Sequence, residues 1–234
     1  MGSVNWSERE TISALLRYQP ARSPLEPHWV SCLMAGLRDA RSATGRDVES
    51  GNVDPATIDK IGNWLGALGY MVLLDQIGQC YRIRSVELKQ PASDFVNALS
   101  LYAPEISFLE AQALWALRCS FAHNYGLINA PKIKNVILRE QLTHHFLLDA
   151  SSDPGAPLVR LPKVKWDGQL AHCSKFNATW VDLRSLGDLV EAIYRKLVEL
   201  HDENSLVLGL PGGLAELQKR FAITIHPGLR MVGP

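Results

Sequence analysis

Between Glu105 and Tyr125 apolar side chains occur almost all the way round a helical wheel of about 100° per residue. A helix of that kind has to be enclosed by other elements. The chain is therefore constrained towards a mainly α bundle in which this segment is the central, most buried helix. Near its end, among Leu114, Trp115, Leu117 and Phe121, it carries Arg118, and five residues later His123. An arginine inside a bundle has to be paired or solvated, so this face borders either a cleft or a partner.

A chain of 234 residues with 47% hydrophobic side chains can form one large core. Its 24 basic and 24 acidic residues cancel, so any polyanion has to be met by a local patch. The four cysteines, Cys32, Cys80, Cys119 and Cys173, lie far apart without a CxxC pair, which argues against a structural zinc site or a disulfide framework and for reduced thiols. The N-terminal stretch lacks the charged-then-apolar order of a secretion signal. The longest uncharged apolar run, Ile61 to Leu74, is 14 residues, short of the ~20 a spanning helix requires. A cytoplasmic protein without a membrane partner is expected.

Ser7 and Glu10 have capping-box spacing before Ile12, Leu15 and Leu16, which predicts a first helix over 7–18. Val30, Leu33, Met34 and Leu37 predict a second within 28–43, followed by a loop over 43–54. Asp54-Pro55 reads as the start of a third helix. Gly62, Gly66 and Gly69 within it suggest close approach of another helix, since each glycine costs up to ~1 kcal/mol in a helix interior. Pro104-Glu105 restarts helix after a loop around Gln90 to Ser93. Beyond Tyr125, Val136-Ile137-Leu138, Phe146-Leu147-Leu148, Leu158 to Leu161 and Thr179-Trp180-Val181 read as short strands. They define a β-rich insertion over 133–181 within a single domain of 1–234, before a long helix starting at Ser185. Residues 205–234 read as a short helix and an irregular C-terminal extension.

At Arg118, His123 and Tyr125 the chain resembles the HEPN superfamily of small α-helical domains, many of which are metal-independent ribonucleases. The signature is an arginine, four to six residues, and a histidine late in a bundle helix. The resemblance covers the motif, the helical stretch before it and a helix after it. The position after the arginine, often polar in the family, is here Cys119. Tyr125 resembles the tyrosine of HEPN toxins that pair with nucleotidyltransferase antitoxins. The resemblance implies a HEPN-like bundle, RNA as substrate, a homodimer and an antitoxin protein as a further partner.

The chemistry also follows from residue types. Cleavage of RNA by its own 2′-hydroxyl needs a group that exchanges protons near neutrality, which histidine supplies, and a cation for the charge developing on phosphorus. The planar fork of arginine fits a phosphate. Arg118 and His123 are the catalytic candidates, and Tyr125, Asn124 and Ser120 the candidates for holding RNA. No cofactor or metal is expected: His144-His145 and His172-Cys173 lack tight ligand spacing. Arg160, Lys163 and Lys165 with Trp166 form a basic run that reads as an RNA-contacting edge or, more simply, a solvated strand edge.

Geometry complicates catalysis. Five residues apart on a regular helix, Arg118 and His123 point about 140° from one another, whereas Arg118 and Tyr125 differ by about 20°. Either the arginine bends round, the helix loosens near Asn124, or two copies share a cleft. Alternatives to an enzyme are a non-catalytic module that binds RNA, nucleotide or protein through the same cleft, and a structural homodimer.

Overall fold

The computed structural model describes residues 7–17, 28–60, 62–87, 93–151, 153 and 155–225. Among them are eight α-helices, and the fold is mainly α with small sheets. Helix α1 (Glu8–Leu16) begins with the expected capping box, in which Ser7 and Glu10 each bond the other's backbone amide. The second helical stretch divides in two. His28–Ser31 is strand β1, and Ser31 caps α2 (Cys32–Ala43) by accepting from the Met34 amide.

Asp54-Pro55 does not open the third helix. Pro55–Lys60 is a distorted 3₁₀ turn, broken at Thr57. Helix α3 (Trp64–Cys80) starts only after Asn63, whose side chain accepts from Gly66 and satisfies a first-turn amide. Strand β2 (Tyr81–Ile83) follows directly. Ser93 then caps α4 (Asp94–Tyr102), a helix separate from the next one. The next, α5 (Phe108–Asn124), opens at a second capping box, Ser107 with Glu110, rather than at Pro104.

Helix α3 lies against α2, α4 and α5, and also against α7 (Leu183–Asp202). The glycines explain the first two contacts. A methyl group on Gly69 would stand 3.2 Å from the Ala40 methyl, and one on Gly78 would overlap the backbone carbonyl of Asp94. Tyr70, Met71, Leu74 and Ile77 of α3 are fully buried, and α5 contributes Ala113, Leu114, Ala116 and Leu117 to the same core. The centre is thus shared between α3 and α5.

A buried polar knot fastens α2, α3 and α7. Arg41 Nε and Nη2 donate to the two carboxylate oxygens of Glu191 at 2.8 and 2.7 Å, and the Tyr70 hydroxyl donates to the same carboxylate at 3.0 Å. Arg41 also donates to the Val48 and Glu49 carbonyls, which pins the loop after α2.

Beyond α5 the chain forms β3 (Ile128–Asn129), α6 (Val136–Leu142), β4 (His144–Asp149), β5 (Val159–Arg160) and β6 (Thr179–Asp182). The four strands make one sheet in the order β3-β4-β6-β5, with β4 and β6 parallel. Val136-Ile137-Leu138 is therefore helix and not strand. Asn135 caps it, and Val136 and Ile137 project into solvent. After α7, residues 205–225 contain the expected short helix and, on either side of it, a short strand. Strand β7 (Leu206–Leu208) pairs with β2, and α8 (Gly213–Phe221) leads into β8 (Ala222–Ile225), which pairs with β1. His226-Pro227-Gly228 and most of the loop before Ser93 lie outside the described residues. Among those described, no helix is long and apolar enough to cross a membrane.

Candidate functional site

Helix α5 runs without a break through Asn124 and closes at Tyr125, whose backbone takes the left-handed conformation with φ of 49°. A non-glycine residue there is uncommon, with a cost on the order of 1 kcal/mol. The Tyr125 ring offsets it by packing, at 5.6 Å from the Trp64 ring and 5.8 Å from Phe121, while Trp64 and Phe121 stack at 5.4 Å. Nearly half of Tyr125 remains exposed, so this trio presents an aromatic surface at the end of α5.

Ser120 is buried. Its hydroxyl lies 2.8 Å from the carbonyls of both Gly126 and Ile128, donating to one at a time, and so folds the turn back onto the helix. It supports the site from beneath rather than from its surface. His123 and Asn124 are exposed, and neither side chain has a partner among the described residues.

Arg118 points towards α3, where its Nε lies 2.6 Å from Asp75 Oδ2, with both side chains about one quarter exposed. The N–H is not directed at that oxygen, so the contact is an ion pair rather than a well-formed hydrogen bond. Burial pushes the Asp75 carboxyl above the ordinary value. Arg118 opposes that rise, Asp94 adds to it, and the Phe95 backbone N–H, donating to the carboxylate, opposes it again.

Because α5 stays regular to Asn124, it does not loosen where Arg118 and His123 would need it to. The two leave the helix about 140° apart, separated by about 7.5 Å along the axis. One chain holds both residues near the same helix end without converging them.

Asp75 had one legible signal, as the only charged residue between Ile61 and Cys80. It also lines an open groove of about 440 Å³ with Val72, Gln76 and Gln79 of α3, Asp94 of α4 and Arg220 of α8. Arg220 donates to Gln79 at 2.9 Å and to Glu216 at 2.8 Å, bracing one wall.

Elsewhere the polar clusters are spent on the fold. His144 Nε2 donates to the Gln141 carbonyl and Nδ1 accepts from the Thr179 hydroxyl, both at 2.8 Å, while His145 bonds Asn177 at 2.7 Å. Among the described residues no group of three or more His, Cys, Asp or Glu side chains could hold a metal ion. In the basic run, Trp166 is buried and donates its indole N–H to the Gln169 carbonyl, so its ring is not presented for stacking. Arg160 lies over the Trp180 ring, and Lys165 donates to the Glu140 carbonyl. The Cys119 thiol is pushed upward by burial, which disfavours the nucleophilic thiolate.

The chain matches no protein-family model, no curated protein and no solved structure.

Proposed function

We propose that the protein is a metal-independent endoribonuclease of the HEPN type, acting in the cytoplasm as a homodimer with a cleft shared between two copies. The carrying observation is the state of the two motif residues at one end of α5. Arg118 is ion-paired with Asp75 yet about one quarter exposed, and His123 is exposed with no partner for its imidazole among the described residues. In the reaction the 2′-oxygen of a ribose loses its proton and attacks the adjacent phosphorus. The bond to the 5′-oxygen breaks, leaving a 2′,3′-cyclic phosphate, and the departing oxygen takes up a proton. His123 serves as the proton acceptor or donor, and Arg118 neutralises charge on the non-bridging oxygens. Tyr125, with its half-exposed ring, offers a base a stacking surface, and Asn124 beside it offers an amide.

The divergence of Arg118 and His123 along a regular helix supports a site completed by a second copy. The test is incubation of varied RNAs with the full chain in the presence of a chelator. Cleavage that persists with chelator and disappears in both Arg118→Ala and His123→Ala supports the reading. Intact RNA with wild-type protein across those substrates sinks it.

A second reading is favoured by the Asp75 contact, since the nearest charged partner of Arg118 is a carboxylate rather than open solvent. In it the same surface binds RNA, nucleotide or a protein such as an antitoxin without cleavage, and the aromatic trio serves as the docking face. Binding of RNA that leaves it intact selects this second reading.

A further inference from the structure

We propose that the extended segment after the motif helix, Leu127 to Lys134, is a phosphate-contacting track for single-stranded RNA, in which Lys132 and Lys134 meet phosphates beside the scissile one. Its substrate class rests on the ribonuclease reading, and its place rests on the charge and geometry of the segment itself.

The sequence around the motif is depleted of negative charge. The chain has 24 acidic residues, yet none lies between Glu110 and Glu140, whereas Arg118, Lys132, Lys134 and Arg139 all fall in that stretch. No other interval between successive acidic residues is as long. The overall balance of charge hides this local excess. A polyanion arriving at the end of α5 meets no repelling carboxylate from the stretch that carries the motif.

The fold lays the segment out as a track. Odd-numbered residues from Leu127 to Ile133 are partly buried and even-numbered ones from Ile128 to Lys134 are exposed, which is the period-two alternation of an extended chain. Leu127 and Ile133 pack against the core, so the two lysines leave the same outward side about 6.6 Å apart. Both ends are fastened. The Leu127 carbonyl accepts from the Phe146 amide, Ser120 reaches the Ile128 carbonyl, and Asn135 caps α6 at the far end. Ser120 stands less than one turn before His123 on α5, so the track starts beside the proposed proton-transfer group.

These two lysines are also the ones left over. Lys165 is committed to the Glu140 carbonyl and Lys175 lies over the Phe176 ring. Lys132 and Lys134 have no ion-pair partner among the described residues. Their charge is therefore available to an anion held along the segment.

A competing role is edge protection, since β3 lies at the edge of its sheet and lysines keep such edges from pairing with other chains. The two roles make different forecasts. The assay is the affinity of the full chain for a single-stranded 2′-O-methyl oligoribonucleotide, which cannot be cleaved, measured across salt concentrations alongside cleavage of unmodified RNA. Each lysine–phosphate contact contributes about 0.7 to the slope of log affinity against log salt on a single strand. Lys132→Gln with Lys134→Gln should flatten the slope by about 1.4 and lose about 25-fold in affinity near 0.1 M salt, converging on wild type near 1 M. Lys132→Arg with Lys134→Arg keeps both charges and should bind within about threefold of wild type. Lys196→Gln with Lys219→Gln removes the same charge from α7 and α8 and should leave the slope at the wild-type value. A wild-type slope in the Lys132→Gln, Lys134→Gln protein, an equal change in the α7 and α8 control, or aggregation with RNA binding intact overturns the inference. A flattened slope without cleavage of unmodified RNA overturns the ribonuclease reading and leaves the track standing. Cleavage with an unchanged slope does the reverse, and a wild-type chain that neither binds nor cleaves overturns both.

Discussion

Replacing Glu191 by alanine should unfold this protein far more readily than any surface change. Both side chains of the Arg41–Glu191 pair are nearly inaccessible, at 3% and 2% exposure. Removing the carboxylate strips Arg41 of its two charged contacts and leaves the Tyr70 hydroxyl without its acceptor. Breaking a buried pair from one side costs about 3–5 kcal/mol, since the surviving charge stays desolvated. At about 2–4 °C per kcal/mol for a chain of this size, the midpoint of thermal unfolding should fall by roughly 6–20 °C. Circular dichroism melts, with urea titrations for the free energy, read this directly. An apolar double replacement, Arg41→Met with Glu191→Leu, should recover part of the loss, because no charge is stranded although Tyr70 and the Val48 and Glu49 carbonyls remain unpaired. A Glu191→Ala protein within about 1 kcal/mol of wild type would refute the reasoning, by showing that water reaches the pair.

Two further predictions concern stability. Burial lowers the His144 pKa from 6.5 to about 4, against the raising effect of the Gln141 carbonyl, with Lys165 and His145 lowering it further. Between those values the unfolded chain binds the extra proton, so stability falls as pH drops from 6.5 towards 4 and the contribution is fully present above that window. The loss should approach about 3 kcal/mol. Urea melts at the two ends of the window should show a smaller loss in His144→Gln than in wild type, and equal losses would contradict the assignment. Gly78→Ala should cost at least about 2 kcal/mol, because the new methyl meets backbone at Asp94, whereas Gly36→Ala meets only the flexible end of Leu73 and should stay within about 1 kcal/mol. Equal effects in equilibrium unfolding would show that α4 moves aside freely.

Local chemistry was the legible part of this fold. The Ser7–Glu10 box, the apolar helix carrying Arg118 and the strands around Phe146 and Trp180 follow from residue order alone. What escaped was either ambiguous locally or non-local. Val136-Ile137-Leu138 is a β-favouring run with two β-branched residues, yet a cap at Asn135 and two solvent-facing apolar residues make it a short helix. Residues 94–102 carry no amphipathic stripe, because α4 is buried on nearly every side. Strand β7 is a strand by virtue of β2, more than a hundred residues earlier in the chain. At the site, the motif spacing placed Arg118 and His123 on one helix, but no spacing within that helix can reveal that Arg118 meets a carboxylate on α3. The solitary charge at Asp75 was the available signal, and only packing gives it meaning.

The central claim is that Arg118 and His123 act together across two copies of the chain. Arg118→Ala and His123→Ala proteins, each inactive alone, should regain activity when mixed under conditions that exchange subunits. One composite site of each mixed dimer then keeps an intact arginine and an intact histidine. Random exchange makes half of the dimers mixed with one working site of two, so chelator-resistant RNA cleavage should return to roughly a quarter of the wild-type rate. No recovery, with mixed dimers demonstrated by differential tagging, would contradict a shared site.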